Sequence, residues 1–394
     1  MTANRDTTAD QMDAARHYDP AAARRASRAV FLSNGMILSS WVPLIPLAKE
    51  RLALSEAALG FVLLSLGAGA LLIMPLSGVL AARFGSRNVI LVSSAIFFLM
   101  LPLLAWAPTT VILATCLFIF GASNGAMDIS MNAQGVAVEH LGSRPIFSSL
   151  HGMFSIGGMV GASLFGGLMH LGLDPIAAAA LIAAAMAAMI FSQFRFMLPS
   201  RSGQGGKHYA WPSRIVVLFG LLALVAMMAE GAMMDWSAVF LRFERGFTES
   251  AAGLGFAAFS LTMALGRLTG DWIVTKIGPV ATIRYGSGLA AIGIFIATIS
   301  SSGAVGIAGF ALTGIGLANS VPQLFGLAGR LPGISPGIAI SAVAIFAYAG
   351  VLAGPPLIGP LAQVTSLPIA LSLVAVGLVV IACCAGIATP ARNR

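Results

Sequence analysis

The chain has 394 residues, of which 58% are hydrophobic and only 9% charged. Soluble domains carry about 25% charged residues, so a soluble globular fold is excluded. The net charge of +8 suits anionic lipid headgroups and needs no nucleic acid to explain it.

Apolar runs of about 20 residues, rich in Ala, Leu, Ile and Gly, are the length of membrane-spanning helices. Hydrocarbon tolerates only helices or closed barrels, and barrel strands alternate polar and apolar residues in pieces of roughly ten. The pattern therefore predicts an all-α polytopic membrane protein with twelve spans, at 28–48, 56–82, 87–107, 109–138, 144–170, 174–197, 213–240, 249–275, 279–300, 302–329, 334–363 and 367–389. Residues 1–27, which hold Arg5, Arg16, Arg24 and Arg25, fit no span and are expected to form a cytoplasmic tail, disordered or on the membrane surface. They lack an apolar core followed by a small-residue cleavage site, so no signal peptide is expected.

With the N-terminus in the cytoplasm, 18 of the 22 Lys and Arg fall on that side; Lys49, Arg51, Arg242 and Arg245 are the four outside. The positive-inside rule then puts both termini in the cytoplasm of a cell inner membrane. The longest polar break starts at Pro199. Its Gly, Ser and basic residues predict a flexible linker over 199–212, between halves at 28–198 and 213–390.

The halves look related. Glu56 with Leu59-Gly60-Phe61 matches Glu249 with Leu254-Gly255-Phe256. Asn34-Gly35 and Trp41 match Glu230-Gly231 and Trp236. Gly121 and Asn124 match Gly314 and Asn319. All offsets lie between 193 and 196 residues, which supports a duplicated six-helix unit.

Charged groups at membrane depth usually face a cavity or a partner. Asn124, Asp128 and Asn132 recur every four residues, so they share one face of span 4. Such a polar stripe points to a water-filled, substrate-binding cavity, although interhelical hydrogen bonding alone would also account for it. Glu230 lies inside span 7 and Asp235 follows about a turn later. Glu230 and Asp128 are the candidate carriers of a coupling proton, while Asp235, nearer the outer end, is expected to act in an outer gate. Trp41 and Trp236 would stack on a ligand or sit in the interfacial aromatic belt. Asn34, Asn319, Gln323 and Tyr348 are further candidate ligand contacts. Pro355-Pro356 in span 11 is expected to break or kink that helix as a gating hinge. Gly157, Gly158, Gly161 and Gly166 in span 5 would let helices approach closely.

The loop between spans 2 and 3 carries Gly78, Arg83, Gly85 and Arg87. The second copy carries Gly266-Arg267, Gly270-Asp271, Lys276 and Gly278. In these residues the chain resembles the major facilitator superfamily over about 28–390. It departs from the pattern at Ala82, where an Asp is usual. The resemblance implies two pseudo-symmetric six-helix halves and alternating access, with gating roles for Arg83, Arg87, Arg267 and Asp271; the last two, four apart, would form a gate-stabilising pair. Asn124–Gly135, Glu230–Ser237 and Ala349–Pro356 are similar to the MosC-like and YbjJ-like branch.

The expected function is transport of a small polar solute, sugar-like or another metabolite, coupled to protons. The alternative is proton-antiport export of amphipathic metabolites or drugs, which the 18 methionines would suit. The absence of the Gly-Pro pair usual in span 5 of drug exporters weighs against it. A non-transporting receptor is the reading from another class. No nucleophile–base, phosphate-loop or metal-ligand spacing appears, so no enzyme activity, cofactor or metal is expected. The expected partners are substrate, protons and lipid, with the chain acting as a monomer.

Overall fold

The computed structural model describes residues 19–141, 146–199, 214–331 and 336–386. The expected linker lies outside these from residue 200 onward, and the expected tail up to residue 18. The described residues form α1 (Pro20–Ser40), α2 (Leu44–Arg51), α3 (Glu56–Phe84), α4 (Ser86–Trp106), α5 (Thr110–Leu141), α6 (Phe147–His170), α7 (Pro175–Gln193), α8 (Arg214–Val239), α9 (Leu254–Leu268), α10 (Gly270–Ile277), α11 (Pro279–Ile299), α12 (Gly303–Leu317), α13 (Ser320–Ala328), α14 (Pro336–Val364) and α15 (Leu367–Cys384). Three spans are split: α1/α2, α9/α10 and α12/α13. Among the described residues eleven spans are long and apolar enough to cross a membrane; α9 is shorter, and α10 extends it.

The first helix starts at Pro20 rather than at residue 28. Asp19 caps it by accepting a 2.9 Å hydrogen bond from the Ala21 N–H, and Pro20 occupies the first turn, where no N–H is missed. Arg25 and Arg28 stay exposed on its outer face while Ala22, Ala23 and Ala26 are buried. Hydropathy alone misses such a start. The α1/α2 break falls at Trp41–Pro43. There Trp41 and Val42 donate to Leu38 and Ser39, three residues back, and Pro43 has no N–H to continue the ladder.

Pro355-Pro356, expected to break or kink the helix, does not break it: α14 stays helical through Pro355, Pro356 and Pro360. The Pro355 carbonyl and the Gly359 backbone lie tight against Gly60 of α3.

The duplication is visible in the packing. In the first half α3 packs on α5, α1 on α6, and α4 on α5 and α7. In the second half the equivalent elements pair alike: α9 on α12, α8 on α14, and α11 on α12 and α15. Gly85 and Gly278 hold equivalent places before α4 and α11, with φ of +85° and +81°, a region that favours glycine. Two seams join the halves, α3 with α14 and α6 with α9. The glycines expected to allow close packing do so. Gly157 and Gly161 meet the backbone of α1 at Leu32 and Met36, and Gly158 and Gly166 face Ser260 and Ser250 of the other half.

The bundle is closed at one end. We call the end holding residues 51–56, 240–254 and 364–367 the far end, and the end holding Pro20 and Cys384 the near end. At the far end Arg242 Nε lies 2.8 Å from Glu50 Oε1, Lys49 sits over the Phe243 ring at 4.6 Å, and the Ala57 N–H donates to Gln363 Oε1 at 3.1 Å. Each contact crosses between the halves. Along one face of α3, Gly60 and Gly67 pack on α14, whereas among the described residues nothing lies within 4 Å of a Cβ at Gly78, three turns further on.

Candidate substrate and coupling site

Two polar clusters lie between the two seams, one built on α1, α5 and α14, the other on α6, α8 and α9. In the first, Asn34 of α1 donates from Nδ2 to Asn124 Oδ1 at 3.0 Å. Four residues along α5, Asn132 Nδ2 donates to the Asp128 backbone oxygen at 2.9 Å and to its Oδ1 at 3.2 Å. Tyr348 of α14 reaches the Asp128 carboxylate from the other half. Tyr348 is exposed, and Asn124, Asp128 and Asn132 are half-buried. The Asp128 carboxylate, the Asn132 amide and the Tyr348 phenol thus meet at one place, which brings hydrogen-bond donors and acceptors together.

In the second cluster Arg267 of α9 places Nη2 3.3 Å from Glu230 Oε1 of α8 and Nη1 3.0 Å from Ser155 Oγ of α6. The expected partner Asp271 has a side chain outside the described residues. The observed partner of Arg267 comes from a neighbouring helix, which i,i+4 spacing along one helix cannot reveal. Ser155 went unnoticed in the sequence because a lone serine in a Gly-rich helix carries no pattern. His151, one turn before it, packs edge-on against Phe31 with ring centroids 5.4 Å apart.

Other expected contacts lie elsewhere. Trp41 and Trp236 are fully buried; bulk and aromaticity put them in the core toward the far end. Asn319 is turned to a structural task. Its Nδ2 donates to the Gly266 carbonyl at 2.9 Å, pinning the α12/α13 break against the α9/α10 break. Gln323 is half-buried on α13, without a side-chain hydrogen bond among the described residues. Arg83 stacks on Phe84 and Arg87 on Phe194, at 5.3 and 4.9 Å.

Asp235 occupies neither cluster. It is 4% exposed and lines a small cleft with Leu63, Leu66 and Gly67 of α3, Met234 of α8, and Val351, Leu352 and Pro355 of α14. This cleft lies in the shut part of the seam.

No family model matches the chain. An MFS-type transporter of Yersinia pestis is 41% identical over 361 residues, covering 91% of this chain and 93% of the relative. The chain belongs to the major facilitator superfamily of transporters. The membrane protein MosC of Rhizobium meliloti is 34% identical, with 90% of this chain and 87% of the relative covered. The transporter y4wD of Sinorhizobium fredii is 33% identical, with 87% and 92% covered. Among solved structures, the nucleoside transporter NupG aligns with a TM-score of 0.76 at 15% identity over 93% of this chain and all of that one. A bacterial homologue of the lysosomal transporter Spinster, inward-facing and occupied, aligns at 0.72 and 15%, covering 93% and 96%. The E. coli fucose:proton symporter FucP aligns at 0.62 and 15%, covering 93% and 98%. At these identities the solved structures speak for the fold alone. The major facilitator fold accounts for the duplicated packing and the two seams, and the chain is a multi-pass transporter rather than an enzyme.

Proposed function

We propose that this major facilitator protein carries a small polar solute across a bacterial inner membrane by alternating access, driven by protons. The observation that supports this reading best is Asp128. It sits near the middle of α5 beside Asn132, half-buried, and meets Tyr348 of the opposite half. A solute bound there touches both halves, so its binding can favour their rocking from one closure to the other. We assign the coupling proton to Asp128 or Glu230, and neutralising either lowers the cost of an occluded state. Glu230 is held by Arg267, so a proton arriving there frees the guanidinium for an acceptor on the solute. Both termini lie in the cytoplasm on this reading, the near end opens inward, and the far end is the sealed periplasmic side.

The test is a thermal-shift screen of polar solutes against purified protein, repeated with Asp128→Asn. A solute class that stabilises the unmodified protein and not the variant identifies both site and substrate. Equal stabilisation of the two removes Asp128 from the site and moves it toward Glu230.

A further inference from the structure

Asp235 is 4% exposed and makes no hydrogen bond or ion pair among the described residues. Its cleft is lined by apolar side chains and has space for about one water molecule. A lone ionised carboxylate in such a place is costly, by several kcal/mol or more. The sequence supplies a remedy. Pro355 and Pro356 lack N–H groups, so they leave the carbonyls of Val351 and Leu352, four residues earlier, without helical donors. Val351 and Leu352 line the same cleft as Asp235. A neutral carboxyl has one O–H to give, and the residues whose carbonyls lose a helical donor, Val351 and Leu352, line the cleft beside it.

We propose that Asp235 is a proton-carrying switch of the far-end seam. It binds a proton when α3 closes on α14, donating its O–H to the Val351 or Leu352 carbonyl. It releases that proton to water when the seam parts. Closure at the far end is then possible only with the proton aboard, which ties one proton to each far-end closure. The inference rests on the proton-coupled reading above and adds to it a residue that contacts no solute.

Other charged groups around the seam have separate assignments. On α3 Glu56 lies at the far-end rim, 3.1 Å from Lys49 of α2. Glu50 of α2 is held by Arg242, beyond the end of α8. On α8 itself Glu230 pairs with Arg267 of α9. Tyr348 of α14 faces Asp128 of α5. Among the described residues α15 brings no charged side chain; its exposed Cys383 and half-buried Cys384 lie at its near end.

The experiment uses spin labels on Ala57→Cys and Gln363→Cys, which flank the far-end seam. Cys116, Cys383 and Cys384 are replaced by serine, and the protein is in lipid nanodiscs without sodium. Distances between labels are recorded from pH 5 to pH 9. Expected is a pH-driven shift from a short to a long population with Asp235 present. The shift disappears in Asp235→Asn, which stays short throughout, and returns with a displaced midpoint in Asp235→Glu. Unchanged thermal unfolding of Asp235→Asn shows that the variant is folded; if it is not, the Asp235→Glu midpoint decides. A pH response that persists in Asp235→Asn overturns the assignment while leaving proton coupling to Asp128 or Glu230 in place. No pH response even with Asp235 overturns the assignment and the proton-coupled reading together. A response to sodium at fixed pH, and not to protons, makes the cleft a sodium site and overturns the proposal as well.

Discussion

Arg267 and Glu230, from adjacent helices α9 and α8, form an ion pair at 3.3 Å in the middle of the bundle, and the same guanidinium donates to Ser155 of the opposite half at 3.0 Å. One arginine thereby balances a carboxylate and ties the halves together. Glu230→Gln leaves that cation half-buried with a weaker partner. We expect a loss of about 1–3 kcal/mol, between the limits for exposed and buried pairs. It would appear as a lower apparent Tm, and Glu230→Gln with Arg267→Gln should regain most of it. A double variant as unstable as the sum of the singles would show that the pair is not coupled.

Arg242 clamps the far end through Glu50, and also donates to the Phe247 carbonyl at 3.1 Å. Its ion pair is part-exposed and contributes at most about 1 kcal/mol, enough to shift a two-state equilibrium a few-fold. Arg242→Ala should raise the rate at which a maleimide reagent labels a cysteine placed at Gln363. Labelling no faster than in the parent protein would mean that Arg242 does not hold the gate.

Gly60 sits against the Pro355 carbonyl and the Gly359 backbone, with no room for a larger side chain. Gly60→Leu should wedge α3 away from α14 and leave the far end open, whereas Gly78→Leu, with nothing within 4 Å, should leave closure unchanged. Spin-label distances at the far end separate the two; equal distances in both variants would remove the glycine contact from the closing mechanism.

Asn319 links the two helix breaks by its bond to the Gly266 carbonyl. Asn319→Ala should cost about 1 kcal/mol and speed amide exchange at Thr269–Asp271, where the α9/α10 junction loses its tie. Exchange that quickens only at distant residues would argue against this pinning.

Twelve spans were legible because hydrocarbon demands long apolar runs, and the internal offset exposed the duplication. What escaped is set by tertiary contact. The start at Pro20 is hidden by Arg24, Arg25 and Arg28, which lower the hydropathy of a turn in which Ala22, Ala23 and Ala26 are buried. The break at Thr269 carries no proline, while Pro355, Pro356 and Pro360 lie within a continuous α14. The stripe of Asn124, Asp128 and Asn132 was legible from spacing four. Partners from other helices, Asn34 on Asn124, Tyr348 on Asp128, Glu230 on Arg267, were not, since nothing in a single sequence says which faces meet. Asp235 read as a gate residue; the apolar seam around it becomes visible only once α3 and α14 are packed.

The most direct test of the account is flux. The protein alone is reconstituted into vesicles, an inward proton gradient is imposed, and uptake of a panel of radiolabelled polar solutes is followed with and without a protonophore. The account predicts that at least one solute accumulates above its external concentration, that the protonophore abolishes accumulation, and that Asp128→Asn abolishes it too. Accumulation that survives the protonophore, or a panel in which only apolar amphiphiles move, would contradict it.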